Sequence, residues 1–336
     1  MNKRIIFPAV LALLVSRPAW CPAQNLPPQK TLYPIIREEK FGLIDQSGKV
    51  VVEPQFDETW LSSEGLAAVN IGGYNTGQWG YVDTLGNIAI AVEYEEALDF
   101  SEGLAPVRTG GRWIFIDHEG KRAFDATFDQ ADVYHENLAR VVENGKWGFI
   151  DHQGQFVIEP RFDNAYNFSE DRAAVQISGT GEGRWGYLDH QGRLIINPVY
   201  NGAGQFSEGL AAVWINGKEG FIDRSGSLVI NTVFDNAGEF SSGIAPVQTG
   251  NAWGYIDSTG EFYIEPQFAS ADNFQEGRAA VWIANKWGYL DRDATLVIPP
   301  QFDAVYRFKR GLARVMVSGL TGYIDRNGNF IWPLTE

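Results

Sequence analysis

Cysteine is nearly absent: Cys21 is the sole thiol in 336 residues, so no intramolecular disulfide framework exists and stability must come from packing. Histidine is scarce, with four copies, and basic side chains (27) are well outnumbered by acidic ones (42). That deficit of positive charge disfavours nucleic acid and anionic membrane surfaces, both of which need a basic footprint. Beyond the N-terminus no run is long and apolar enough to span a bilayer as a helix. The sequence also lacks a Gly-x-Ser-x-Gly elbow, a phosphate loop, a His-Glu-x-x-His pair and a calcium loop.

The N-terminus is where apolar residues do concentrate. Lys3 and Arg4 precede an apolar stretch from Ile5 to Val15 that is too short to cross a membrane, and Cys21 and Ala23 suit cleavage before Gln24. Residues 1–23 read as a signal peptide, which makes the protein exported, to the periplasm or beyond the cell. Lipidation of Cys21 is disfavoured by bulky Trp20 one position before it. Losing Lys3, Arg4 and Arg17 with this segment leaves 24 basic against 42 acidic side chains, a net charge of −18.

Residues 24–336 are filled by repetition. An aromatic-Gly-aromatic-aliphatic-Asp phrase, followed by a turn ending in Gly, places its Asp at Asp45, Asp83, Asp117, Asp151, Asp189, Asp223, Asp257, Asp291 and Asp325. The intervals are 34 or 38 residues, so one supersecondary unit is copied and each copy buries its apolar face on its neighbours. Within 161–198, Phe162 to Phe168 predicts a short irregular strand and Arg172 to Val175 a second. Arg184 to Asp189 predicts a third, and Leu194 to Asn197 a fourth ended by Pro198. Asn-Gly, as at Asn144 and Asn216, is the favoured two-residue hairpin signal between the second and third strands. The Asp of Asp-x-x-Gly can accept turn amides, and the Gly beside Trp implies a close neighbour.

Lys146-Trp147-Gly148-Phe149-Ile150-Asp151, Arg184-Trp185-Gly186-Tyr187-Leu188-Asp189 and Lys286-Trp287-Gly288-Tyr289-Leu290-Asp291 resemble the bacterial WG-repeat (KWG-repeat) proteins. So do Val-Ile-Glu-Pro at Val157 and Phe-Ser-Glu-Gly-Leu at Phe100 and Phe206. The resemblance spans about residues 30 to 333 and implies no catalytic residue. Phe41, Glu219 and Thr321 replace the Trp, and Ile114 replaces the Gly, so those units are expected to pack less well. The expected fold is all-β: about nine antiparallel meanders in a β-propeller-like ring or arc, with a β-hairpin solenoid as the alternative. Nine third strands face only eight Phe-Asp segments, so a closed ring would draw a ninth outer strand from residues 24–31, where Pro27 and Pro28 are poor strand formers.

His118, His152 and His190 each follow a repeat Asp. Equivalent turns of stacked sheets lie roughly 10 Å apart, too far to share a zinc ion whose ligands sit about 2.1 Å from the metal. They read as solvated turn residues, and no metal or cofactor is expected. Glu64, Glu102, Glu136, Glu170, Glu208 and Glu276 share one turn position and read as an exposed acidic rim. Against this constant frame the residue ending the second strand varies: Asn70, Arg108, Val142, Gln176, Trp214, Gln248, Trp282 and Met316. Trp214 and Trp282 can stack on sugar rings or peptide side chains, with Gln176, Gln248 and Arg108 supplying hydrogen bonds. The Gly-rich insertions 70–78, with Tyr74, and 176–184 are candidate binding loops. The expected function is a non-enzymatic scaffold that binds a protein, peptide or envelope glycan. The alternative is an envelope hydrolase with its site in the divergent unit around His135.

Overall fold

The computed structural model describes residues 30–73, 76–178 and 183–336. The expected signal segment therefore lies outside the described residues. The described chain is all-β: nine antiparallel sheets form the blades of a closed nine-blade propeller, spanning 33–56, 58–94, 96–128, 130–162, 164–200, 202–234, 236–268, 270–302 and 304–335. Blade five shows the standard order: a two-residue inner strand Asn164–Ala165, then Ala173–Ile177, Arg184–Leu188 and an outer strand Leu194–Tyr200. Phe162 thus belongs to the preceding outer strand, not to the inner one, and the inner strand is shorter than the sequence suggests.

The outer strand also runs through Pro198 to Tyr200 instead of stopping before it. Trp185 pairs with Tyr200 and Tyr187 with Ile196, so the outer strand bulges by two residues opposite Gly186. Proline is tolerated at such an edge bulge, where no ladder donor is needed. The bulge brings backbone onto the glycine: a Cβ at Gly186 would lie 2.5 Å from Ile196 O and 2.7 Å from Pro198 N. The Gly of Trp-Gly and the Pro twelve residues later are therefore two halves of one contact. Blade three tests this naturally. Ile114 stands at that position, and its sheet has three strands, with only isolated bridges Trp113–Phe128 and Ile116–Arg122 where the outer strand would be.

The hydrophobic core is divided among the blade interfaces. Nine apolar clusters are present among the described residues, and each joins one blade to the next. Small Ala67, Ala105, Ala139, Ala173, Ala211, Ala245, Ala279 and Ala313 on the second strands are fully or almost fully buried, allowing close approach. Seven interfaces hold an edge-to-face aromatic pair, such as Tyr187–Phe206 and Tyr289–Phe308, with centroids 4.9 to 5.3 Å apart. Each pair contributes about 0.5–1.5 kcal/mol beyond its buried area.

The last blade packs on the first, which closes the ring. Its outer strand is the C-terminal Phe330–Thr335, so no outer strand from residues 24–31 is needed. What blade one lacks, among the described residues, is the inner strand. On its second strand, Tyr33 stands where other blades carry Ala, and it meets Tyr323 edge-to-face at 5.7 Å. Tyr33 Oη donates to Arg310 O at 2.6 Å and Tyr323 Oη to Pro34 O at 2.8 Å.

Candidate functional site

The repeated polar residues are consumed by the frame. In every copy the repeat Asp accepts the amides two and four residues on, as Asp257 does from Thr259 and Glu261. The Thr259 hydroxyl adds a third bond, and these donors hold the Asp257 carboxyl below the usual range.

The expected acidic rim is a chain of latches between blades, a correction to its reading as a solvated face. Glu170 has φ 54° in the hairpin turn before the second strand, a left-handed position costly for a non-glycine residue. Its carboxylate reaches the next blade, where Gly209 N donates at 2.8 Å and Arg224 pairs at 2.9 Å. Glu64, Glu102, Glu136, Glu208 and Glu276 likewise accept amides from the following blade. The side chain that supports Glu64 is His118; for Glu102 it is His152, for Glu136 His190, and for Glu276 Arg326. The three histidines are therefore not free turn residues. Each lies flat on an inner aromatic, Phe100, Tyr134 or Phe168, at 4.2 to 4.4 Å. Asp171 joins Glu136 and His190 within 4.8 Å, as a variant of the same latch.

The opposite face has its own latches. Lys146 pairs with Asp163 of the next blade at 2.5 Å, and Asp163 Oδ2 accepts from Ser178 N. Lys40–Asp57, Arg112–Asp129, Lys218–Asp235 and Lys286–Asp303 repeat the contact. The Lys of Lys-Trp-Gly and the Asp of Phe-Asp are therefore partners across an interface.

Side chains left over from these networks gather at the end of the ring that carries the turns between second and third strands. Arg108, Gln176, Trp214, Gln248 and Trp282 all end second strands there, in blades three, five, six, seven and eight. They do not converge on one point. Trp282 packs edge-to-face on Trp287 at 5.4 Å, Gln176 reaches Gly183 O, and Gln248 accepts from Asn236. Trp214 is exposed and lines a cavity of about 280 Å³ with Tyr166, Gly202 and Glu219. Glu219, in place of the repeat Trp, is pushed up by burial despite a bond from Ala237 N. Asn70 and Val142, at the same register, are buried. Tyr74 lies outside the described residues.

Arg108 lines a larger cavity of about 600 Å³ between blades two and three, with Glu58, Trp60, Trp79, Glu95, Glu96 and Leu98. Its guanidinium pairs with Glu96 and lies 3.5 Å from Glu95. Trp60 is 45% exposed and stacks on Trp79 at 6.0 Å with the rings 4° from parallel. Sequence reasoning missed this position, which directly follows the two-residue inner strand Glu58–Thr59. Across the repeats it reads Trp60, Leu98, Asp132, Tyr166, Gly204, Gly238, Asp272 and Tyr306, as variable as the position chosen. Trp60, Tyr166 and Tyr306 are all exposed. Their signal was an unpatterned aromatic beside a turn, within a segment read only as an irregular strand.

Eight consecutive segments, 41–74, 79–113, 115–147, 147–180, 185–218, 220–251, 253–287 and 287–320, match the WG-containing repeat. The chain belongs to the WG-containing repeat family. No curated protein matches the sequence of this WG-repeat chain. In fold it is similar to a eukaryotic initiation factor (TM-score 0.62, 11% identity, covering 92% of this chain and 97% of that one). Fainter likenesses are to the dihydro-heme d1 dehydrogenase NirN (TM-score 0.45, 13% identity, 87% and 77% covered) and to PorZ of the type-IX secretion system of Porphyromonas gingivalis (0.33, 10%, 92% and 52%). These likenesses concern the fold alone. No helix among the described residues is long and apolar enough to cross a membrane.

Proposed function

We propose that this WG-repeat ring is an exported, non-enzymatic scaffold that binds a protein, peptide or envelope glycan through the face carrying the turns between second and third strands. One observation carries the reading. The recurring acids and bases are occupied in latches between blades, whereas that face holds exposed Trp60 and Trp214 and a cavity of about 600 Å³. A recurring carboxylate engaged by the same donors in blade after blade offers no pair of unlike environments for acid–base chemistry. His135 is exposed as the last residue of the inner strand Gln130–His135, at the other end of the ring from that cavity. It gives the hydrolase reading no support.

The test is affinity for a glycan array and for envelope proteins in pull-downs, with Trp214→Ala combined with Trp282→Ala. The double variant is expected to weaken the ligand bound across blades six to eight, and unchanged affinity for every ligand found would remove those residues from the site. Turnover of glycan or peptide substrates that His135→Ala abolishes would overturn the non-enzymatic reading. Export predicts a chain beginning at Gln24 outside the cytoplasm. Mass spectrometry showing only the Met1 form in the cytoplasm would overturn it.

A further inference from the structure

The cavity between blades two and three has a chemistry that narrows its occupant, granted the binding role just proposed. Three kinds of group line it. Trp60 offers a flat apolar face, held in orientation by its parallel stack on Trp79. Glu58 offers an acceptor, since its Oε2 is buried without a hydrogen-bond partner among the described residues, and burial raises its pKa. Arg108 offers a donor, since its Nε makes no hydrogen bond and has only the Glu95 carboxylate 3.5 Å away, while its Nη1 is held by Glu96.

A buried acceptor and a buried donor left unmet each cost free energy, so the favoured ligand satisfies both. A basic side chain would satisfy Glu58 and the indole but leave Arg108 Nε unmet and add a second cation beside it. An anionic group would satisfy Arg108 but meet Glu58, Glu95 and Glu96. Hydroxyl groups both donate and accept, and a pyranose carries several around a ring whose C–H face lies flat on an indole. A volume of about 600 Å³ falls in the range that encloses one small ligand.

We infer that this cavity, formed by Trp60, Trp79, Glu58 and Arg108, binds an uncharged saccharide of one or two rings. The sugar face lies on Trp60, one hydroxyl donates to Glu58 and another accepts from Arg108.

The full chain, titrated with cellobiose, maltose and N,N′-diacetylchitobiose, and separately with a hexaarginine peptide, decides the matter by calorimetry and tryptophan fluorescence. At least one disaccharide is expected to bind saturably with a change in indole emission, and the peptide is expected not to compete. Trp60→Ala is expected to weaken that binding by about tenfold or more, with Trp60→Phe retaining most of it and Glu58→Gln intermediate. Trp60 is half exposed, and an unchanged circular dichroism spectrum checks that these variants fold. No binding by any of the three disaccharides, or displacement of a bound one by hexaarginine, overturns the assignment. Saccharide binding that survives Trp60→Ala but is lost in Trp214→Ala with Trp282→Ala places the sugar elsewhere on the ring, leaving the scaffold reading intact and this cavity excluded.

Discussion

Replacing Gly186 with alanine is the sharpest test of why Trp is followed by Gly in this fold. The new Cβ would sit 2.5 Å from Ile196 O, 2.7 Å from Pro198 N and 2.9 Å from Asn197 C. All three are backbone atoms, so no side-chain rotation relieves the contact and the outer strand must move away as a unit. Overpacking of this kind costs about 1–3 kcal/mol. Gly186 is not in the left-handed region, so alanine also gains roughly 0.5–1 kcal/mol by restricting the unfolded chain. The expected net loss is about 1–2 kcal/mol, read as a lower denaturation midpoint. Hydrogen exchange adds spatial resolution: protection should fall along Leu194–Tyr200 and persist in the Ala173–Ile177 strand. A variant as stable as the parent, with the outer strand equally protected, would refute the steric account, and the broken outer strand beside Ile114 would then need another cause.

Two further outcomes follow from the interfaces. Tyr33→Ala should cost about 3–5 kcal/mol, as for removal of a large buried aromatic, and it should speed proteolysis at the junction of blades nine and one; stability within error of the parent would show that the ring does not depend on that seam. Glu64, Glu170 and Glu276 carry burial that alone would raise their pKa, but bonds from His118, Arg224 or Arg326 and from the next blade's amides outweigh it and hold them below the ordinary value of 4.5. A folded pKa below the unfolded one gives stability that is full above that value and lost as pH falls through the folded pKa. Denaturation midpoints should therefore drop as pH falls below about 4.5, and Glu276→Gln should lower the midpoint at neutral pH while flattening the acid limb. An unchanged acid limb in that variant would count against the latch.

The sequence made the unit legible because strand periodicity and turn chemistry act within a few residues. The Asp-x-x-Gly turns and the hairpins between second and third strands needed no knowledge of neighbours. The latches were opaque for the opposite reason. Glu170 meets Gly209 and Arg224, 39 and 54 residues on, and Lys146 meets Asp163, 17 on. Such pairs emerge only when repeats are set side by side with an offset, so a carboxylate recurring at one position looked like an exposed rim. Trp-Gly and Glu-Pro were each visible, yet their dependence on one another required the bulge. For the site, Arg108 and Trp214 line cavities, while Trp60 was passed over because it follows a two-residue strand that leaves no periodic trace.

The two ends of the ring are chemically addressed, and the middle is not. Arg310 stands where most other blades carry Glu, and its carbonyl takes bonds from Tyr33 and from Gln46. Leu32 and Ser62 exchange hydrogen bonds where the other inner strands bring an aromatic. An interior repeat, by contrast, presents the next one with much the same aromatic edge and often the same Lys–Asp partner. Duplication or loss of a middle unit would leave its new neighbours matched, whereas a change in the first or last would not. The terminal repeats thus act as the fixed clasp of a necklace, and the contacts between interior beads do not by themselves set how many there are.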